Sequence, residues 1–170
     1  MRITQYYPNP LFRDTGAKHS QSGNGTMRYQ DNHLMLVSAD STGMQCPLRF
    51  TGIPLGETLV FRFLAYVPEE STGFRNGCLC TIGYGSWTTV ASIGMEYRDH
   101  LGSTYTYAQE FTIPSGADNV QFLFNSPTVA NQSVTFDAPL LMTKADYSAY
   151  LAMQDRPERV YWDLMPLTRS

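Results

Sequence analysis

Five side chains in this sequence have the chemistry that carbohydrate recognition uses. An aromatic ring packs against the apolar face of a sugar ring, and polar or charged groups beside it bond the hydroxyls. Trp87 stands out because it follows Gly85-Ser86, a turn that exposes neighbouring side chains. For each aromatic, the alternative is packing in the core or against a cross-strand neighbour. The candidates are Trp87, Tyr84, Tyr97, Tyr66 and Arg62.

Motifs for catalysis and for nucleotide binding are incomplete. The run Gly83 to Trp87 lacks the glycine that follows the serine in a nucleophile elbow. No glycine-rich stretch ends in Gly-Lys-Ser or Gly-Lys-Thr, so a phosphate-binding loop is missing. Glu96, Asp99 and Glu110 could supply paired carboxylates for glycoside hydrolysis, but sequence spacing alone does not place them in one cleft. We therefore predict that the chain is not an enzyme.

The charge balance argues against two classes of partner. Net charge is −3, from 12 basic and 15 acidic residues, so nucleic acid and anionic membranes exert no overall attraction. No stretch approaches the roughly 18 apolar residues of a membrane span, and the N-terminus lacks the apolar core of a secretory signal. We expect synthesis in a cytoplasm and no partnership with nucleic acid or membrane.

Three runs with strand periodicity organise the second half of the chain. They lie within Tyr105–Met142, and turn residues at 114–116 and 126–127 separate them. Their succession predicts a β-meander whose strands share one core. The third run is expected to direct one alternating set of side chains to that core, namely Val134, Phe136, Ala138, Leu140 and Met142.

Further strands precede this region without a helical pattern between them. The whole predicts an all-β fold, a jelly-roll β-sandwich of two antiparallel sheets. Thr143 and Asp146 have the spacing of a capping box, which predicts one short helical turn after the last strand. We assign residues 1–153 to the sandwich and 154–170 to an extended C-terminal arm. The earlier strands are expected at His33–Ser38, Met44–Phe50, Thr58–Val67, Cys78–Tyr84 and Trp87–Met95.

The C-terminal arm carries many apolar side chains for an extended segment. Such a surface either packs back on the sandwich or docks onto a partner, and the sequence leaves both options open. The second option predicts an assembly interface formed by Tyr161, Trp162, Leu164, Met165 and Leu167.

Four stretches of the sequence resemble one family. The runs Tyr7–Phe12, Phe111–Ala117 and Phe136–Leu141 are similar to carbohydrate-binding-module-like β-sandwich domains of bacteriophage minor tail proteins, especially those of actinobacteriophages. Ala149-Tyr150-Leu151 followed by Tyr161-Trp162-Asp163 resembles the closing pattern of that family. These motifs mark turns and strand ends, so they support the fold more directly than any ligand.

The resemblance implies a non-catalytic virion protein, most simply a minor tail or tail-tip component. Such a subunit would oligomerise, with a trimer suited to a tail, and would contact other virion proteins or host cell-wall glycans. One alternative is a capsid decoration protein attached to the phage head by residues 156–170. The other is a free carbohydrate-binding module, for which a signal peptide or a linked catalytic domain is expected.

The resemblance also implies a place for calcium. In several families of this shape an acidic residue near the first strand and an aspartate on the last strand hold the ion, and Asp14 and Asp137 occupy those places here. Calcium takes about six to eight oxygen ligands, and only two can be named. The alternative is that Asp137 bonds neighbouring backbone or solvent, and we predict no required cofactor.

Overall fold

The strands stack as two sheets in the computed structural model of this chain, which describes residues 3–154 and 162–163. Two 3-10 turns, Arg75–Gly77 and Tyr97–His100, lie in the connections. The elements in chain order are β1 (Ile3–Thr4), β2 (Gly25–Gln30), β3 (His33–Ser38), β4 (Gln45–Arg49), β5 (Thr58–Tyr66), β6 (Cys80–Tyr84), β7 (Thr88–Ile93), β8 (Thr104–Thr112), β9 (Gln121–Asn125), β10 (Ser133–Thr143), α1 (Lys144–Gln154) and β11 (Trp162–Asp163).

Two antiparallel sheets face each other across the core. The larger has the strand order β2-β3-β10-β5-β8, and the smaller has the order β4-β9-β6-β7. Neighbouring strands within both sheets run antiparallel, whereas β1 and β11 form a separate parallel pair. The predicted all-β sandwich of two antiparallel sheets with one short C-terminal helix is therefore confirmed.

The three C-terminal strands are present, but the predicted meander is wrong. β8 and β10 belong to the larger sheet and β9 belongs to the smaller one, so consecutive strands do not pair. Residues 113–120 and 126–132 connect them, and both connections exceed the roughly two to five residues of a hairpin loop. The chain uses this length to cross between sheets.

An aromatic core fills the space between the sheets. The rings of Phe61 and Phe122 come from opposite sheets and meet edge to face, with centroids 4.9 Å apart. Phe124 and Phe136 make a second contact between the sheets at 4.4 Å. Tyr7, from the N-terminal segment, stacks on Phe61 at 5.3 Å. All five side chains are fully buried, so the apolar faces predicted for the strands do share one core.

A bulge in β10 changes which side chains face that core. Pairing with β5 shifts register between Asp137 and Leu140, and Ala138 has a left-handed φ of 45°. Because an extra residue reverses the alternation of a strand, Leu141 packs in the main core, whereas Leu140 and Met142 face outward. The prediction that Leu140 and Met142 share the face of Phe136 is wrong for this reason.

The N-terminal segment completes the open edge of β10. The side chain of Gln5 is fully buried, and its Oε1 accepts the Leu141 N–H at 3.1 Å and also the Tyr7 N–H. Its Nε2 donates to the Tyr7 carbonyl at 2.7 Å, and the Tyr6 N–H donates to the Leu141 carbonyl at 2.8 Å. Gln5 thus takes the place of a backbone partner for the part of β10 that extends past His33, the first residue of β3.

Helix α1 lies over one part of the outward face of the larger sheet. Ile3, Leu140 and Met142 are buried there, against partly buried aromatic and apolar side chains of α1. The Asp146 N–H donates to Thr143 Oγ1 at 3.2 Å, which fits the predicted cap. Within the described part of the chain, no helix has the length and apolar character needed to span a membrane.

A buried histidine fixes the loop between β1 and β2. His19 Nε2 lies 2.7 Å from Tyr7 Oη, and its Nδ1 lies 2.8 Å from Tyr29 Oη. Its backbone N–H donates to the same Tyr29 oxygen at 2.7 Å. Burial lowers the pKa of His19 to about 3, since a charged imidazolium loses its hydration here. The folded protein therefore holds this ring in its neutral form.

Candidate functional site

A cleft of about 460 Å³ lies on the outward face of the smaller sheet. Its side chains are one aromatic, one aliphatic and five neutral polar groups. They come from all four strands of that sheet, from the turn before β7 and from the turn before β6. The lining residues are Gln45, Asn76, Thr81, Trp87, Thr89, Ser92 and Leu123.

The alternation of the strands produces this lining. Cys80 and Ile82 of β6 point into the core, so Thr81 between them points outward. Thr81 pairs with Leu123 of β9 on one side and with Ser92 of β7 on the other. These three residues form one row across the floor of the cleft.

Gly83 creates the space in which the Trp87 indole lies. A Cβ atom on Gly83 would stand 2.8 Å from Trp87 Cη2 and 2.9 Å from Cζ3, closer than real Cβ contacts. The indole therefore packs against the bare backbone of β6. Its side chain remains 40% exposed, so one face of the ring is available to a ligand. This combination gives the cleft an aromatic platform at one end.

The turn before β6 brings Asn76 to the other end of the cleft. The Arg75 N–H donates to the Ser126 carbonyl at 3.2 Å, and Arg75 Nη1 donates to the Gly43 carbonyl at 3.3 Å. Asn76 follows with a left-handed φ of 59°, a conformation that asparagine adopts more readily than most residues. Its amide therefore sits on an anchored turn beside Gln45.

A buried amide orients the floor of the cleft. Asn125 is fully buried, and its Nδ2 donates to the Cys78 carbonyl and to Thr81 Oγ1, both at 3.1 Å. Thr81 Oγ1 accepts this bond, and it also lies 3.3 Å from Cys78 Sγ. Asn125 Oδ1 has no hydrogen-bond partner among the described residues. The Thr81 hydroxyl is thus held by Asn125, which lies opposite Gln45 on the same face of the sheet.

The predicted sugar-binding residues do not converge. Trp87 alone of the five lines the cleft. Tyr84 is half-buried against the main core, and Tyr66 is 41% exposed on the outward face of the larger sheet. The Arg62 guanidinium lies 5.9 Å from the centre of the Tyr150 ring of α1.

Tyr97 lies in the core and not on a surface that a sugar could reach. The side chain is 2% exposed, and its ring centroid is 4.7 Å from that of Phe74. Arg98 covers it, with its guanidinium carbon 5.7 Å from the ring centre. Tyr97 is the first residue of the 3-10 turn Tyr97–His100, and no pattern in the sequence predicts that its ring points into the core.

The polar residues of the cleft were not among the sequence-based candidates. Thr81, Thr89, Ser92 and Gln45 occupy outward positions of ordinary strands, where neutral polar residues face water in most sandwiches. Only their pairing across strands brings them together. The one sequence signal at this place is Gly83 next to a turn that contains Trp87.

The two predicted calcium ligands have other partners. Asp14 forms an exposed ion pair with Lys18 at 2.8 Å, and Asp137 Oδ2 lies 3.6 Å from His33 Nδ1 on the larger sheet. Among the described residues, no group of three or more His, Cys, Asp or Glu side chains could hold a metal ion. Asp137 therefore faces the side chain of His33, which neither the calcium interpretation nor its alternative predicts.

The carboxylates considered for catalysis lie away from the cleft lining. Glu110, on β8, forms an ion pair with Lys144 of α1 at 2.9 Å. Glu96 and Asp99 are exposed at the turn between β7 and β8. The cleft lining is free of acidic side chains, and it offers neutral hydrogen-bonding groups instead.

Residues predicted to form the assembly interface fall mostly outside the described part of the chain. Tyr161, Leu164, Met165 and Leu167 lie outside it. Trp162 is described only by its backbone, which pairs with Ile3 in the parallel β1–β11 pair. The assembly interface and the division at residue 153 remain predictions.

Solved carbohydrate-binding modules have the same fold as this chain. The xylan-binding domain CBM22-1 of Paenibacillus barcinonensis Xyn10C superposes with a TM-score of 0.56 at 10% identity, over 84% of this chain and 96% of that one. The second N-terminal cellulose-binding domain of Cellulomonas fimi β-1,4-glucanase C gives 0.55 at 17% identity, over 83% and 95%. The fold is a carbohydrate-binding-module-like β-sandwich.

A phage protein contains a similar domain. The enzymatically active part of bacteriophage CBA120 tailspike protein 4 matches with a TM-score of 0.51 at 14% identity, over 74% of this chain and 19% of that one. No protein-family model matches the sequence, and no curated protein matches it. At these identities the likeness concerns the fold alone.

Proposed function

We propose that this chain is a non-catalytic module that binds a neutral glycan in the cleft of the smaller sheet. The observation that carries the proposal is the Trp87 indole, held over Gly83 with one face exposed. Sugar rings stack on such a face, while hydroxyl and amide groups bond their oxygens. Every lining residue is uncharged, which favours a neutral sugar over an acidic one.

The dimensions of the cleft favour a chain of sugars over a single ring. Gln45 and Asn76 line it at one end of the strands and Trp87 at the other. Strand β4 alone extends over about 13 Å, at roughly 3.3 Å per residue. A ligand that touches both ends must therefore contain several sugar units.

The decisive comparison is between Trp87→Ala and Tyr66→Ala. Both side chains are exposed to a similar degree, 40% and 41%, but they lie on opposite sheets. We expect Trp87→Ala to lower affinity for soluble xylan or β-glucan oligosaccharides at least about tenfold, or about 1.4 kcal/mol, measured by isothermal titration calorimetry. Tyr66→Ala should bind as the unmodified protein does.

Both variants should unfold at nearly the temperature of the unmodified protein, because neither ring is part of the core. Unchanged binding by Trp87→Ala, or an equal loss in Tyr66→Ala, would remove the cleft as the site. A large fall in the melting temperature of Trp87→Ala would show that the indole stabilises the sheet.

We further propose that the module serves in a bacteriophage particle, as a minor tail or tail-tip subunit that contacts host cell-wall glycans. Support comes from the sequence resemblance and from the occurrence of a similar fold within a phage tailspike protein. The capsid-decoration role is the alternative within the same setting. Binding of the protein to purified bacterial cell walls, lost in Trp87→Ala, is the expected result. Binding that persists in that variant would contradict a role for the cleft.

A further inference from the structure

A second cavity, of about 110 Å³, opens at the end of the sandwich next to the cleft. It lies between the β4–β5 loop and the β8–β9 loop. Its walls are apolar, whereas Thr51, Asp118 and Asn119 provide polar groups. The apolar wall residues are Phe50, Ile53, Leu55, Ala117 and Val120.

Core packing and backbone hydrogen bonds hold these walls in place. The ring of Phe50 stacks on Phe122 with centroids 5.2 Å apart and meets Tyr7 edge to face at 5.8 Å. The Ala117 N–H donates to the Pro114 carbonyl at 2.9 Å. Ile53 and Val120 are almost fully buried, but Leu55 is 36% exposed. The cavity is therefore formed by fixed groups, with Leu55 at its open side.

The cavity adjoins the end of the cleft that contains Trp87. Phe50 directly follows Arg49, and Val120 directly precedes Gln121, the pair that ends the β4–β9 register. The same row contains Gly83, against which the indole lies. The Gly85 N–H, in the turn that precedes Trp87, donates to the carbonyl of Asp118 at 3.0 Å. One turn thus separates the two sites.

We propose that this cavity binds a single phenolic ring, as a substituent on the glycan in the cleft. Whole ligands usually occupy about 300 Å³ or more, whereas a closed apolar cavity of about 150 Å³ holds one benzene. An open cavity of 110 Å³ therefore suits one ring that enters from a neighbouring site. The apolar walls contact the ring, and a side-chain oxygen of Asp118 or Asn119 accepts a hydrogen bond from its hydroxyl group. The identity of the main ligand rests on the proposed function.

The test uses 4-methylphenol, a ring without sugar, so that the cavity is examined independently of the cleft. Amide signals of the uniformly labelled full chain are followed by NMR during titration up to about 10 mM, because ligands of this size bind in the millimolar range. We expect the signals of Gly52, Ala117 and Asn119 to shift, and those of Thr81 and Ser92 to stay. Leu55→Ser should weaken the binding of 4-methylphenol at least about threefold, or about 0.7 kcal/mol, because one apolar contact is lost.

Leu151→Ser is the matched control, because Leu151 is 45% exposed on α1, away from the cavity, and it should titrate as the unmodified protein does. Absence of shifts around the cavity, or equal shifts in Leu55→Ser, would overturn the proposal. A second arm compares an aryl glycoside with the methyl glycoside of the same sugar. Preference for the aryl form, lost in Leu55→Ser, identifies a glycan substituent, whereas equal binding of the two overturns that assignment.

The two proposals fail in different ways. If sugars do not bind but 4-methylphenol does, the glycan function fails and the cavity stands as a site for a free phenol. If sugars bind and the phenol does not, the cavity proposal alone fails. Wherever 4-methylphenol binds, Trp87→Ala should leave its titration unchanged.

Discussion

Because Gly83 has no side chain, the Trp87 indole can lie against the backbone of β6. We expect Gly83→Ala to weaken glycan binding roughly tenfold, or about 1.4 kcal/mol, although Trp87 itself is unchanged. The added methyl group would stand within 3.0 Å of two ring carbons, so the indole must leave the sheet. Calorimetric titration with the glycan that the unmodified protein binds measures the effect.

Gly116→Ala is the control for that experiment. A methyl group there meets nothing within 4 Å, and the backbone of Gly116 is not left-handed. It should therefore bind glycan as before. If Gly83→Ala also kept full affinity, the position of the indole would be irrelevant to binding.

His19 makes the stability of the fold depend on pH. Its pKa is about 3 in the folded protein, against 6.5 for an ordinary histidine, so unfolding takes up a proton below pH 6.5. The free energy of unfolding should be highest above pH 6.5 and fall as the pH drops toward 3. The slope approaches about 1.4 kcal/mol per pH unit, which amounts to roughly 2 kcal/mol at pH 5.

Urea unfolding at pH 7.5 and pH 5 measures this loss. His19→Gln should be less stable at pH 7.5, because its contacts with Tyr7 and Tyr29 are disturbed, but should lose less on acidification. His33→Gln, at a half-exposed position, should keep the full acid loss. An equal acid loss in His19→Gln would assign the effect to other groups.

Among the individual residues of the cleft, the sequence indicated that Trp87 is exposed, but it did not indicate which polar groups surround Trp87. A tryptophan beside Gly-Ser is exposed by local turn chemistry, which a sequence records. The hydroxyls of Thr81 and Ser92 become neighbours only through strand pairing. The burial of Tyr97 depends on Phe74, more than twenty residues earlier, and no local pattern predicts that contact.

Among the elements, β10 depends on a side chain for part of its edge. We expect Gln5→Ala to lower the free energy of unfolding by about 1 to 3 kcal/mol, the range for leaving a buried backbone group without its hydrogen bond. The Leu141 and Tyr7 N–H groups would both lose their acceptor. Denaturant midpoints of the variant and of the unmodified protein give the difference.

Gln30→Ala provides the comparison, since Gln30 is exposed at the end of β2. It should change stability by less than about 0.5 kcal/mol, as surface substitutions usually do. Equal effects of the two substitutions would mean that Gln5 does not complete the sheet.

Strand positions followed from the sequence more closely than strand partners did. His33–Ser38 was predicted with its observed bounds, and β4 and β5 differ from their predictions only at the ends. Alternation of apolar and polar residues is a local property, so it identifies a strand and its buried face. Which sheet receives β9, and where β10 bulges, depends on packing between distant segments.

For the whole molecule, we expect assembly and folding to be separable. Among the described residues, the core clusters lie between Ile3 and Met153, so a chain that ends at Met153 should keep the sandwich. Of the described elements, it would lose the β1–β11 pair and the last residue of α1. If the arm forms the assembly interface, light scattering with size exclusion will give a defined oligomer for the full chain and a monomer for the shorter one. Equal masses would contradict a role of the arm in assembly.

The position of β10 has a consequence for synthesis on the ribosome. This strand is the last of the larger sheet along the chain, and it lies at the centre of that sheet, between β3 and β5. The earlier strands of the sheet therefore form two separate pairs until Thr143 has left the exit tunnel. Chains emerge at about 5 to 20 residues per second, so unpaired edges persist for seconds, and the larger sheet is completed only after β10 has emerged.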